Sequence, residues 1–127
     1  MKIFICEQDQ TKARSMEALL GHYSYKVVTV QRNNDLFKQI NQQRPAVIII
    51  NESFSDQFGV DTVNRLKNDP FTSKIPVIYI GNDHQLISQL HENKNNLFEA
   101  FQEPVRIKNL KHYIDRWTTF RSLYIKH

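Results

Sequence analysis

Residues 44–51 read RPAVIIIN, and the apolar run inside this stretch decides the fold. Residues 47–50 are apolar at every position, whereas a strand with one exposed face alternates apolar and polar residues. An unbroken apolar run is typical of a central parallel strand that helices cover on both faces. Pro45 separates the run from a preceding helical pattern, because proline disfavours the helical conformation in the residue before it. We therefore expect residues 47–50 at the centre of a parallel sheet.

Strand patterns and helix patterns alternate on both sides of this stretch. Strand-like runs occupy residues 3–6, 25–30, 77–80 and, more weakly, 97–101. Between them, apolar residues recur at helical spacing, with Gly21 at the expected cap of the first helix, and a final helix is predicted from about residue 105 into the 120s. Five alternations predict an α/β fold, a doubly wound five-stranded parallel sheet with five helices, the last one long.

Length and composition exclude several classes of function. A chain of 127 residues with 40% hydrophobic residues fits one domain with one core, and no apolar run is long enough to span a bilayer. Cys6 is the single cysteine, which excludes an internal disulfide and a multi-cysteine zinc site. Three glycines form no phosphate-binding loop of the dinucleotide or P-loop type. Without such a loop, we expect no cofactor. We expect a cytoplasmic protein, because the N-terminus turns polar before a signal-peptide core could form.

Polar residues follow four of the predicted strands. They are the segments 7–9, 51–52, 81–82 and 102–103, which read EQD, NE, GN and QE. In doubly wound sheets, ligands and active sites gather at the carboxyl ends of the strands. The chemistry of this chain is therefore expected at that edge of the sheet.

Several landmarks in order resemble the receiver domain of bacterial response regulators, over nearly the whole chain. The opening MKIFICEQD resembles the first strand and its acidic turn, and RPAVIIIN resembles the strand that ends in the phosphoacceptor. Gly59 falls where the family has a glycine that opens the third helix, and NDP at 68–70, before KIPVI at 74–78, is a familiar phrase of the family. The resemblance implies a flavodoxin-like sheet with strand order 2-1-3-4-5. From the chain length, and from the length and composition of the final helix, we expect one domain over 1–127 in which 118–127 is a basic, aromatic extension of that helix.

The resemblance implies a phosphorylation site, and this chain departs from the family there. The family's acceptor aspartate corresponds to Asn51, and its acidic metal pair corresponds to Glu7 and Gln8. The family's Thr or Ser, its aromatic switch residue and its lysine correspond to Gly81, Ala100 and Glu103. An amide is a poor nucleophile, and Mg²⁺ prefers carboxylate oxygens. We expect a degenerate receiver, or pseudo-receiver, with no catalytic residue, no bound metal and no enzymatic activity, which signals by phosphorylation-independent protein–protein interaction.

Other interpretations of this site stay open at the level of sequence. Asn51 and Glu103 could simply hydrogen-bond each other or backbone amides. Glu7, Asp9, Glu52 and Glu103 could form a weak cation site. Asp9 or Glu52 could replace the acceptor, and a small ligand could bind in the degenerate pocket as an altered input.

The C-terminal segment is a candidate interaction surface. Six Lys or Arg and one Asp lie from Arg106 onward, whereas the rest of the chain carries 11 bases and 12 acids. Ile107, Leu110, Ile114 and Trp117 form a stripe that is expected to pack on the sheet. The interface candidates are Tyr113, Arg116, Trp117, Phe120, Arg121 and Tyr124. The resemblance places the interface on the face of the fourth helix, fifth strand and fifth helix, with a homodimer favoured over a separate protein partner. A basic nucleic-acid-associated domain is the alternative from another class.

Overall fold

The computed structural model describes residues 2–52, 54, 59–91 and 97–125, and it describes their side chains except at 33, 34, 60, 61, 86, 90, 91 and 119–125. Strands and helices alternate through this part of the chain. The strands are β1 (Lys2–Cys6), β2 (Lys26–Val30), β3 (Val47–Asn51), β4 (Val77–Gly81) and β5 (Phe98–Gln102). The helices are α1 (Gln10–Gly21), α2 (Asn33–Gln43), α3 (Gly59–Asn68), α4 (His84–His91) and α5 (Ile107–Ile125).

The strands form one parallel sheet in the order β2-β1-β3-β4-β5. β3 lies at the centre, and all five of its residues are buried. β2 lies at an edge, and most of its residues remain partly exposed. The structure therefore confirms two predictions from the sequence, the doubly wound parallel sheet and the central position of β3.

The two faces of the sheet carry separate core layers. One layer packs the face that includes Phe4, Ile48 and Tyr79 against apolar residues of α2, α3 and α4. The other packs the face that includes Ile5 and Ile49 against apolar residues of α1 and α5. Helices on both faces explain why β1, β3 and β4 are apolar at nearly every position.

Element boundaries differ from the sequence pattern by one or two residues. Gly21 is the last residue of α1, whereas the cap is His22 and the left-handed residue is Ser24, with φ 67°. α2 ends at Gln43, and its C-cap residue Arg44 is left-handed with φ 46° and precedes Pro45. α5 begins at Ile107, two residues later than predicted. In the described part of the chain, no helix is long and apolar enough to cross a membrane.

Trp117 of α5 belongs to the core. It is 8% exposed and packs in the layer that α1 and α5 build, together with Leu110 and Ile114. This burial confirms the predicted apolar stripe, and it corrects the expectation that Trp117 offers its ring to a partner. Of the other interface candidates, Tyr113 is half-buried and Arg116 is exposed. The side chains of Phe120, Arg121 and Tyr124 lie outside the described residues.

Candidate functional site

The carboxyl ends of the strands bring the candidate residues to one edge of the sheet. Asn51 ends β3 and pairs in register with Ile80 of β4, and Gly81 follows directly. The Glu103 N–H donates to the Gly81 carbonyl at 2.9 Å, which continues the β4–β5 pairing past the last strand residue. The register of a parallel sheet therefore gathers residues that are distant in sequence, as expected.

Asn51 is fixed by a contact to α1. Its side chain is 5% exposed, and Nδ2 donates to Met16 Sδ at 3.8 Å. A thioether is a weak acceptor, so this is a weak hydrogen bond in a largely apolar setting. The acceptor position thus holds a neutral, buried amide.

The carboxylates of the acidic turn after β1 accept hydrogen bonds from neighbouring backbone N–H groups. Glu7 is 1% exposed, and its Oε2 accepts from the Gln8 N–H at 2.9 Å. Asp9 caps α1, with Oδ1 accepting from the N–H groups of Thr11 and Lys12 at 2.8 and 3.3 Å. A carboxylate in this position satisfies N–H groups that the first helical turn leaves without partners.

Glu52 reaches across to β4 and the start of α4. Its Oε2 accepts from the Asn82 N–H at 3.2 Å, and its Oε1 accepts from the Asp83 N–H at 3.3 Å. The Tyr79 hydroxyl donates to Oε1 at 3.4 Å. We call this carboxylate and its three donors the Glu52 bridge.

Glu103 bonds to the segment between β4 and α4. Its Oε2 accepts from Asn82 Nδ2 at 3.0 Å. Of the alternatives for these two side chains, the hydrogen bond between Asn51 and Glu103 is not formed, since Asn51 donates to Met16. Ala100 is buried opposite Tyr79 in the sheet register, in the same core layer.

The acidic side chains of this edge point to different partners. Asp9 caps α1, Glu52 forms its bridge, and Glu103 bonds Asn82. Among the described residues, no group of three or more His, Cys, Asp or Glu is placed to hold a metal ion. This arrangement of the described residues does not support the alternative in which Glu7, Asp9, Glu52 and Glu103 form a weak cation site.

The sequence matches one protein family over most of its length. The family model that matches residues 3–115 is described as the response regulator receiver domain. The chain belongs to the response regulator receiver family. It is therefore a receiver domain of two-component signalling.

Solved structures show the same fold at low sequence identity. The response regulator receiver domain protein from Clostridium thermocellum matches with a TM-score of 0.82 at 19% identity, covering 97% of this chain and 98% of that one. The signal receiver domain of a signal transduction histidine kinase from Syntrophus aciditrophicus matches with a TM-score of 0.80 at 21% identity, covering 93% and 89%. No curated protein matches this receiver at a significant level.

The contacts of two residues in this receiver site were not predicted from the sequence. Glu52 was considered there as a cation ligand or a substitute acceptor, whereas its carboxylate bonds the segment after β4. Tyr79 was assigned to a buried strand, and its hydroxyl reaches the same carboxylate. An acid directly after β3 opposite a glycine at the end of β4 is the sequence signal that could have suggested the contact.

A groove opens beside Asn51 in this receiver. It has a volume of about 500 Å³ and runs between α1 and the β5–α5 connection. Its lining includes Met16, Leu19, Ile80 and Leu110, with Glu7 and Glu103 among the polar groups. Leu19 is 47% exposed, so an apolar surface is available at the mouth.

Proposed function

We propose that this receiver is degenerate and signals by protein–protein interaction that does not depend on phosphorylation. The observation that carries the proposal is Asn51, a buried amide at the end of β3, where the family has its acceptor aspartate. An amide nitrogen is a poor nucleophile because its lone pair is delocalised into the carbonyl. It offers no carboxylate oxygen that could form an acyl phosphate.

The neighbouring positions support the same proposal. Gly81 has no hydroxyl, and Glu103 would repel a phosphoryl group where the family has an attractive lysine. Gln8 is neutral at one of the two metal positions, and among the described residues no three or more His, Cys, Asp or Glu are placed together to hold a metal ion. Ala100 lacks the aromatic ring of the family's switch residue. A receiver with these residues would also have no enzymatic activity.

The face of α4, β5 and α5 is the proposed interaction surface, with a homodimer as the favoured assembly. β5 is an edge strand of the sheet. Phe101 on β5 and Tyr113 on α5 are both half-buried and contact edge to face, with ring centroids 5.2 Å apart. Arg116 lies exposed one turn further along α5. Half-exposed aromatic rings beside an arginine are typical of interface centres.

Light scattering coupled to gel filtration tests both parts of this proposal. We expect a dimer whose dissociation constant is the same with and without a small-molecule phosphodonor and Mg²⁺. Tyr113→Ala and Arg116→Ala are expected to weaken the dimer on the order of tenfold, whereas the control Lys74→Ala, at an exposed lysine outside this face, leaves it unchanged. A strict monomer contradicts the homodimer, and an assembly that forms after phosphodonor treatment contradicts phosphorylation independence.

A small-ligand input is the second candidate, and the groove beside Asn51 favours it. Its apolar walls suit a compact apolar molecule, and its two carboxylates, Glu7 and Glu103, which outnumber the single ammonium group of Lys12 in the lining, suit one cationic group on that molecule. Benzylamine and the neutral benzyl alcohol form a matched pair of probes. We expect the amine, and not the alcohol, to shift the amide resonances of Met16 and Asn51. Equal or absent shifts count against this candidate.

Association with nucleic acid stays a prediction from the basic C-terminal segment. Arg116 is exposed, whereas the side chain of Arg121 lies outside the described residues. Salt-sensitive retention of DNA that is lost on substitution of Arg116 and Arg121 would favour this alternative. Retention that these substitutions leave unchanged would count against it.

A further inference from the structure

We propose that Glu52 takes the place, within the chain, of an anion bound at this edge of the sheet, and that it holds the β4–α4 segment (residues 81–84) in one arrangement. The inference rests on the proposed function, since it assigns a residue to the space that a phosphoryl group would need. Glu52 is then a positioning residue, which acts through the backbone of Asn82 and Asp83.

The donors of the Glu52 bridge are those that an oxyanion would use. The N–H groups of Asn82 and Asp83 lie immediately before α4, which begins at His84, and bond the two oxygens at 3.2 and 3.3 Å. Backbone N–H groups at a helix N-terminus carry partial positive charge and attract anions. Each carboxylate oxygen therefore accepts from one backbone N–H group in the two residues that precede the first helical residue.

Gly81 and Glu52 fit each other sterically. A Cβ atom on Gly81 would lie 2.9 Å from Glu52 Oε1 and 3.0 Å from its Cβ and Cδ. These distances are shorter than van der Waals contact, so a side chain at position 81 and the observed position of Glu52 exclude each other. The hydroxyl residue of the family could not be added at Gly81 without displacing the carboxylate.

Tyr79 anchors the bridge to the core. The residue is fully buried on β4, and its hydroxyl donates to Glu52 Oε1 at 3.4 Å. Burial raises the pKa of Tyr79 well above its usual value, and the negative charge of Glu52 and its hydrogen bond raise it further. The hydroxyl therefore keeps its proton and remains a donor. Ala100 pairs with Tyr79 across β4 and β5, and its methyl side chain places no aromatic ring beside that of Tyr79.

Two consequences distinguish this bridge from an ordinary surface contact. The β4–α4 segment should keep the same arrangement with and without a phosphodonor, because the anion that holds it, the Glu52 carboxylate, is part of the chain. Free oxyanions should also be excluded from the N–H groups of Asn82 and Asp83 until the carboxylate is removed.

Amide NMR of the full chain tests the inference with inorganic phosphate as the probe. In wild-type protein, the amide resonances of Asn82 and Asp83 should not respond to phosphate. In Glu52→Ala they should shift saturably, and their hydrogen exchange without phosphate should be faster on the order of tenfold. Glu52→Gln keeps an acceptor oxygen without the charge. Its phosphate response and its exchange rates should lie between those of wild-type protein and those of Glu52→Ala. Glu99→Ala, at a half-buried acid on β5, is the matched control and should behave as wild type.

Two results would overturn the inference. One is a wild-type response to phosphate equal to that of Glu52→Ala. The other is unchanged exchange at Asn82 and Asp83 in both Glu52 variants. Should Glu52→Ala unfold, Glu52→Gln supplies the exchange measurement in a protein of nearly the same shape. The proposed function is tested separately, since its failure would appear as phosphate bound covalently to wild-type protein.

Discussion

The Glu52 carboxylate lies across Gly81, with Oε1 2.9 Å from the position that a Cβ atom would occupy on that glycine. The glycine leaves room for the side chain that packs on it, and its backbone angles require nothing unusual, because its φ is not positive. Glu52 and Gly81 act as a pair, and changes at the two positions should not be additive.

The first prediction concerns this pair. Gly81→Ala should lower the free energy of unfolding by about 1–3 kcal/mol, because the new methyl group overlaps Glu52. The double variant Gly81→Ala with Glu52→Ala should lose less than the two single variants together, since the overlap is gone. Urea denaturation of the four proteins measures the coupling.

Gly21→Ala is the matched control for this cycle. Gly21 ends α1, and a Cβ atom there would meet nothing within 4 Å. Alanine at that position should leave stability unchanged or raise it by a few tenths of a kcal/mol up to about 1 kcal/mol. A Gly81→Ala variant as stable as Gly21→Ala would contradict the contact.

The second prediction concerns Asn51→Asp. The residue is 5% exposed and bonds a thioether, so an ionised carboxylate there is desolvated without a strong donor. We expect a loss of about 1–3 kcal/mol at pH 7 that shrinks at acid pH as the carboxyl takes up a proton. The control Asn109→Asp, at an exposed site on α5, should change the free energy of unfolding little. A pH-independent loss for Asn51→Asp would contradict the prediction.

The third prediction concerns the pH dependence of stability through Lys67. Its Nζ donates to the carbonyls of Ile75 and Leu97, at 3.2 and 3.3 Å, just before β4 and β5 begin. Burial lowers the pKa of Lys67 from 10.5 to about 8. Between these values the unfolded chain binds more protons, so the contribution of Lys67 to the free energy of unfolding rises with pH. Below about pH 8 the folded protein carries the cost of a buried ammonium group.

Lys67→Met isolates this contribution. The free energy of unfolding of wild-type protein, minus that of the variant, should increase from about pH 8 to about pH 10. Lys74→Met, at an exposed lysine, should give a flat difference over the same range. A flat difference for Lys67→Met as well would show that Lys67 has its ordinary pKa.

The fourth prediction concerns the attachment of α5 to the start of β2. The Tyr25 hydroxyl and the Lys111 ammonium both donate to the carboxylate of Asp115. Desolvation raises the pKa of Asp115, but the hydrogen bonds from Lys111 and Tyr25 outweigh it and hold that pKa below its usual range. Tyr25→Phe should cost about 1 kcal/mol in urea denaturation. Tyr23→Phe, at an exposed ring, should cost less, and equal costs would contradict a specific role for the Tyr25 hydroxyl.

The sheet could be predicted from the sequence because β3 and β4 bury nearly every residue, which leaves an unbroken apolar pattern. Once the parallel sheet is predicted, its register is enough to place Asn51, Gly81 and Glu103 at the same edge. The direction of the Glu52 side chain could not be predicted, because it depends on N–H groups 30 residues further along the chain. Trp117 belonged both to the predicted apolar stripe and to the interface candidates, and its packing against the sheet favours the first assignment.

Mass spectrometry of the intact protein after incubation with a small-molecule phosphodonor and Mg²⁺ is the most direct test of the proposal that this receiver is not phosphorylated. A receiver with an acceptor aspartate, treated in parallel, shows that the reagent is active. We expect the mass of this chain to stay unchanged, because Asn51 offers no attacking carboxylate and Glu52 occupies the space over Gly81. An increase by the mass of one phosphoryl group, mapped by fragmentation to Asp9, Glu52 or any other residue at this edge, would contradict it.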